Sequence, residues 1–276
     1  MSTSESLTDQ ISAAVKAGDL TLTDSLYSQA NSSYESLDEI AQQAARHAQP
    51  ELLEWCFQQG FTFPADSMNN PFYHAAIEGR SPAIFQVLLN HGFDLNAHWS
   101  EYLGDALVAA CIDGTTPLVR FLLKSGQDPN SGHCCSDYEA LTWVIVGDNL
   151  DQSEKKEIVR LMLKHGTSLE GTGATISAAE KGNLELLKVF LDNGGSDLLE
   201  ETAIWWGITD SESIDSEGTP LYRACRAGMT EIAKFLLDRG ANGRSKDKIG
   251  RSCLDVAEAG GHDDVVKLLK ERGIEE

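Results

Sequence analysis

Apolar residues along this chain recur at helical spacing, and the recurrence itself repeats. Phe85, Leu88 and Leu89 form one stripe at i, i+3, i+4, and Leu187, Phe190 and Leu191 form another, the pattern of an amphipathic helix with one buried face. Each stripe follows two small residues and a glycine: Ala75-Ala76 with Gly79, Ala109-Ala110 with Gly114, Ala178-Ala179 with Gly182. Small side chains let two helices approach closely. Glycine supplies the left-handed or unhindered backbone needed where a short helix ends and the chain reverses. The predicted unit is therefore a helix, a tight turn and a second helix.

The unit is clearest in GTPLYRACRAGMTEIAKFLLDRGAN (218–242) and NPFYHAAIEGRSPAIFQVLLNHGFDLN (70–96), and further copies lie at 105–130, 173–195 and 252–273. Weaker copies occupy 10–29, 40–60 and 140–166. The first small residue of each copy, Ala14, Ala44, Ala75, Ala110, Val144, Ala178, Ala224 and Ala257, gives steps of 30, 31, 35, 34, 34, 46 and 33 residues. No unit of this size buries its own stripe, so stability must come from stacking neighbours, with polar or charged ends as caps. Lys267, Lys270, Glu271 and Arg272 fit that role at one end, and a Ser/Thr-rich lead fits it at the other.

The order and phase of these parts resemble the ankyrin repeat family, whose unit of about 33 residues runs T-P-L-H-x-A through two helices. The best copy keeps Thr219, Pro220, Leu221, Ala224, Gly228 and Gly240 but has Tyr222 in the His slot. The resemblance implies an all-α ankyrin-repeat solenoid of stacked helix-turn-helix units joined by finger loops. About eight repeats are expected over residues 8–273, the first two and the fifth irregular, with 274–276 as a tail. Two interruptions break the phase. Asn149 to Lys155 is expected to loop out between the helices of the fifth copy. Residues 194–218 form an oversized insertion between the sixth and seventh copies, carrying Trp205-Trp206.

Ankyrin-like stacks generally bind partners with the exposed face of the first helices and the finger tips. The two positions before each turn glycine are thus expected to face a concave groove. They place Ile77 with Glu78, Ile112 with Asp113, and Val146 in the middle copies, and Arg226 in the seventh. Apolar residues where a solvated helix would carry charge mark a recognition patch. Fingers add Trp99, Tyr102, His133 and Tyr138, and Trp205-Trp206 is expected to wall one side or, alternatively, to bury itself in the long gap.

Composition adds a partner preference. The 22 basic and 43 acidic residues leave a formal net charge of -21, which repels phosphate backbones and anionic membrane surfaces. Residues 1–214 carry -20 of it and 215–276 only -1, leaving the last quarter as the place for any basic site, such as the run from Arg239 to Arg251. A protein partner with a basic segment is expected, and neither nucleic acid nor membrane. No apolar leader or membrane-spanning run is found. The six cysteines have no zinc-like spacing and read as thiols of a cytoplasmic or nuclear monomer. Of these only the adjacent Cys134-Cys135 pair, in a polar stretch, is a candidate for reactivity.

No catalytic motif is found: no nucleophile elbow, phosphate-binding loop, dinucleotide fingerprint or H-E-x-x-H. His91 and His165 are expected to bond the last carbonyls of second helices, and His262 to sit in the family's His slot. His47 with Glu78 and Asp113 is the one groove grouping that mixes a base with acids. No catalytic residue, metal site or cofactor is assigned. Two function classes stay open. One is a non-enzymatic protein-interaction module, a scaffold, adaptor or inhibitor. The other is a small-molecule binder or enzyme with a pocket between the groove and the 194–218 insertion.

Overall fold

A computed structural model describes residues 6–30, 37–63, 70–100, 103–131, 140–147, 149–202 and 218–275. Its Cα positions divide into two compact units, Met1–Cys135 and Ser136–Glu276. The described residues are all-α, with two isolated bridges in fingers, Ser100 to Gly104 and Lys246 to Ser252.

The first unit holds four helix pairs: α1 (Leu7–Ala17) with α2 (Leu20–Gln29), α3 (Leu37–Arg46) with α4 (Pro50–Gln58), α5 (Pro71–Glu78) with α6 (Pro82–Asn90), and α7 (Ala106–Asp113) with α8 (Thr116–Lys124). First helices pack on first helices and second on second, so α3 lies between α1 and α5, and α4 between α2 and α6. The alanines account for how closely they approach: Ala41, Ala44, Ala45, Ala75 and Ala76 are fully buried. Local signals start the helices as expected. Ser6, Asp19, Asn70, Ser81 and Asp105 cap N-termini with their side chains, and proline follows at the start of α4, α5 and α6, where its missing N–H costs nothing.

The turn between paired helices repeats one device. The residue just before the second helix's N-cap is left-handed: Gly18, Gly114, Gly182, Gly228 and Gly261 have φ of 74°, 72°, 73°, 70° and 69°. Two copies put other residues there, Ala48 (φ 55°) and Arg80 (φ 50°). Gly79, expected to supply either a left-handed or an unhindered backbone, has helical φ of -67°. Its glycine is required for space, because a Cβ there would overlap the carbonyl oxygen of Ala45 in α3.

The second unit holds α9 (Ala140–Val146) with α10 (Gln152–Lys164), α11 (Ala174–Glu180) with α12 (Leu184–Gly194), α13 (Pro220–Arg226) with α14 (Thr230–Asp238), and α15 (Cys253–Ala259) with α16 (Asp263–Glu271). The segment expected to loop out, 149–155, does not do so. Asp151 and Glu154 form a capping box that starts α10 at Gln152. Lys155 is buried, and its ammonium donates 2.9 Å to the carbonyl of Ile145 near the end of α9. The extra residues lengthen the helix because their side chains cap two helix ends.

The 194–218 insertion begins as packed structure. A 3-10 turn, Ser196–Leu199, buries Leu198 and Leu199. Glu201 then accepts the N–H of Gly171 at 2.8 Å, while Glu200 accepts the N–H of Asn242 at 2.7 Å and the hydroxyl of Ser245 at 3.2 Å. The two adjacent carboxylates thus tie together the fingers on either side. Burial pushes the Glu201 carboxyl above its ordinary value, against the lowering effect of the backbone N–H groups of Gly171 and Gly173. Trp205 and Trp206 lie outside the described residues.

Candidate functional site

Helix ends of the first unit converge on one concavity. Ile77 and Glu78 close α5, Ile112 and Asp113 close α7, and with Arg80, Leu103 and Ala109 they line a hollow of about 230 Å³. Its floor is aliphatic. Ile77 is 4% exposed, so it forms the floor and is not displayed as the sequence suggests, whereas Ile112 and Leu103 are half-buried. Leu103 is brought in by its finger, where Ser100 and Gly104 exchange two backbone hydrogen bonds of 2.8 Å. Ala109 contributes a small wall on α7.

The rim is a rail of alternating charge. Arg46, the last residue of α3, holds Glu78 at 2.6 Å, and Arg80 holds Asp113 at 2.9 Å. Each pair joins one repeat to the next. Both carboxylates that the sequence offers to His47 are therefore engaged by guanidinium groups, which removes the basis for a base-and-acid grouping there. Among the described residues no group of three or more His, Cys, Asp or Glu is arranged to hold a metal ion.

The other sequence candidates are placed elsewhere. Trp99 is half-buried in the finger before α7, next to His98, whose ring stacks on Phe93 at 4.2 Å and whose carbonyl accepts from the Tyr73 hydroxyl at 2.9 Å. Val146 and Arg226 end α9 and α13 in the second unit, both half-buried. The carbonyl of Arg226 accepts from Nε2 of His262 at 3.0 Å, so this residue at the N-cap of α16 bridges one repeat to the next. Tyr102, His133, Tyr138, Cys134 and Cys135, like the two tryptophans, lie outside the described residues. His91 departs from expectation: its backbone N–H meets the last carbonyls, but its ring stacks on Phe57 at 3.9 Å and meets Glu54 at 3.0 Å.

Arg80 and Leu103 were missed by the sequence reading. Arg80 carried a usable signal, a long cation just before a helix where other copies have glycine. Leu103 carried none, because finger conformation has no periodicity to read.

In the second unit the equivalent cross-repeat tie is reversed in sign: buried Arg223 of α13 holds Glu180 of α11 at 2.6 Å. Beside it Tyr222, in the His slot, donates 2.6 Å to Asp247 of the following finger, which also accepts from Nε of Arg251 at 2.7 Å.

Residues 41–133, 107–202 and 178–276 each match the family model described as ankyrin repeats (3 copies). The chain is similar to human transient receptor potential cation channel subfamily A member 1, 28% identical over 241 residues, which are 72% of this chain and 21% of that protein. It is also 29% identical over 111 residues to potassium channel AKT1 of Arabidopsis thaliana, covering 39% of this chain and 11% of the channel. Rat diacylglycerol kinase iota is 30% identical over 141 residues, 49% of this chain and 12% of the kinase. The chain thus spans about a fifth or less of the length of these relatives.

Proposed function

We propose, from the premise that the chain belongs to the ankyrin repeat family, that it is a non-enzymatic interaction module whose inner face in the first unit receives a protein partner. Ankyrin repeats generally serve protein–protein contacts. The observation that carries the reading is the concavity between α5 and α7, where half-exposed Ile112 and Leu103 sit inside a rail of paired charges. An apolar centre with a polar rim is the composition of a recognition surface. The hollow holds about 230 Å³, less than the roughly 300–1,000 Å³ of small-molecule pockets, which suits a side chain or two of a protein partner.

A basic segment in the partner fits the charge of the chain, -21 overall. Cys56, Cys111, Cys225 and Cys253 are buried free thiols, which supports a reducing compartment, cytoplasm or nucleus. Among the described residues no helix is long and apolar enough to cross a membrane.

The test is site-specific photo-crosslinking in cells with a photoreactive amino acid at position 112, compared with position 160 on an outer helix. The reading expects a discrete adduct at 112 that is absent at 160. Equal trapping at both positions, or none at 112, would overturn it.

A further inference from the structure

The second helices of the first three pairs share an apolar groove whose lining has no residue in common with the concavity. Leu20 of α2, Pro50 and Trp55 of α4 and Val87 of α6 floor it, Glu51 and Glu54 edge it, and its volume is about 340 Å³. The Trp55 indole is a fixed wall: it packs edge-on to Tyr27 with ring centres 5.3 Å apart, and its Nε1 donates 3.2 Å to Asp24. Leu20 is 36% exposed.

The charges around this floor have one sign. Helices α2, α4 and α6 contain Asp24, Glu51 and Glu54 and neither Lys nor Arg. Both cations among residues 6–63, Lys16 and Arg46, end first helices. Glu54 is met by the ring of His91 at 3.0 Å, and Glu51 is exposed. Such a surface is complementary to a segment carrying apolar and cationic side chains together.

The backbone chemistry narrows the occupant. The groove is walled by helix side chains and offers no strand edge, so it suits a segment that pairs its own N–H and C=O groups. A helix does this, and one of about 13 residues spans three neighbouring helices at 8–10 Å spacing.

We propose that this groove is a second docking surface, and that its occupant is a basic amphipathic helix of a partner protein. The helix lays an apolar stripe on Leu20, Trp55 and Val87 and sets Lys or Arg over Glu51 and Glu54, in the manner of helix-in-groove recognition.

The test pans a library of randomised helical peptides against the full chain and titrates the recovered peptides against wild type and Leu20→Gln/Val87→Gln. That variant is first checked for an unchanged thermal midpoint, and Leu20→Ser is the substitute if it fails. Expected peptides carry apolar residues at three- and four-residue spacing with Lys or Arg beside them. They should bind the double variant at least about 10-fold more weakly, and Glu51→Gln about threefold more weakly, with the latter difference shrinking at high salt. They should bind Ile112→Asp as wild type, which separates this surface from the inner concavity. Recovery of no peptide, of acidic peptides, or of peptides that bind wild type and double variant equally would overturn the proposal. So would self-association of the chain that depends on Leu20, which would assign the groove to a second copy.

Discussion

The phenol of Tyr222 donates a 2.6 Å hydrogen bond to the buried carboxylate of Asp247, joining the start of α13 to the finger that follows it. The finger's own N–H groups at Ile249 and Arg251 turn inward to the same carboxylate, at 3.1 and 2.8 Å. Burial raises the Asp247 carboxyl, but the bonds from Tyr222 and Arg251 outweigh it and hold the group down at about 2. Burial, and then the same bond, push the Tyr222 phenol well above its ordinary range. A carboxyl depressed in the folded state contributes stability that is complete above its unfolded value near 3.9 and is lost as pH falls toward about 2. Tyr222→Phe should cost about 1.5–3 kcal/mol at pH 7 and move acid unfolding to higher pH. Urea titrations from pH 7 to pH 2 should show the difference between variant and wild type shrinking as Asp247 protonates. A constant difference would sink the account.

Glycine substitutions separate two kinds of constraint. Gly79→Ala drives a Cβ into the backbone of α3, and since that carbonyl cannot swing aside, overpacking should cost about 1–3 kcal/mol and disturb the contact between α3 and α5. Gly79→Ser should be no milder. Gly240→Ala meets nothing within 4 Å but has φ of +97°, so only backbone strain opposes it, about 1–2 kcal/mol. Hydrogen exchange distinguishes them. Gly79→Ala should lower protection in α3, α5 and their neighbours, whereas Gly240→Ala should act near its own turn.

The left-handed Ala48 and Arg80 give a stabilising prediction. Ala48→Gly relieves strain at a position that other copies give to glycine and should raise stability by about 0.5–1 kcal/mol, the strain of roughly 1–2 kcal/mol being offset by added freedom in the unfolded chain. Arg80→Gly gains the same relief but loses the exposed pair with Asp113, worth about 0–1 kcal/mol, so its net change should be small. Thermal unfolding of both variants checks this, and a destabilised Ala48→Gly would show that the turn is not strained.

Thiol labelling tests burial directly. Burial pushes the Cys56 thiol up to about 12 and raises Cys111 further, with Asp105 adding to the effect. Cys225 is raised first by its hydrogen bond with Cys253 and then by burial. At pH 8 Cys56, Cys111 and Cys225 are thiols and not thiolates. These three, and Cys253 because it is equally buried, should resist an aromatic disulfide reagent in the folded protein and react at once in denaturant, as read by peptide mapping. Rapid native labelling of any of the four would contradict the packing.

Removing the ammonium of Lys155 tests the cap it provides. Lys155→Met keeps the buried stem but leaves the Ile145 carbonyl without this donor, so about 1–3 kcal/mol should be lost. Exchange of amides in α9 should rise more than in α15. If α9 is unaffected, the capping role is wrong.

The helices, their turns and their recurrence follow from the order of residues alone, because 3.6-residue periodicity, paired alanines and capping residues act within a few positions of themselves. Thr219-Pro220 starts α13 and Ala44-Ala45 brings α3 against its neighbours wherever the rest of the chain lies. The candidate site was half readable by the same logic: Ile77, Glu78, Ile112 and Asp113 fall at helix ends whose positions are periodic. Tertiary structure decided everything that depends on partners about one repeat away. Arg46 and Glu78 are 32 residues apart, and no local pattern tells whether that carboxylate meets an arginine or water. Ile77 reads as exposed by helical phase, yet it is 4% exposed and lies at the floor of the hollow that α5 forms with α7 and its finger. Gly79 and Arg80 exchange the roles their types suggest, since the approach of α3 and not the preference of glycine sets the turn. Lys155 reads as part of a solvated loop, yet a neighbouring helix end with an unpaired carbonyl draws it inside. Periodicity specifies which face of each helix is apolar; only the contacts between repeats specify what that face and its rim are made to hold.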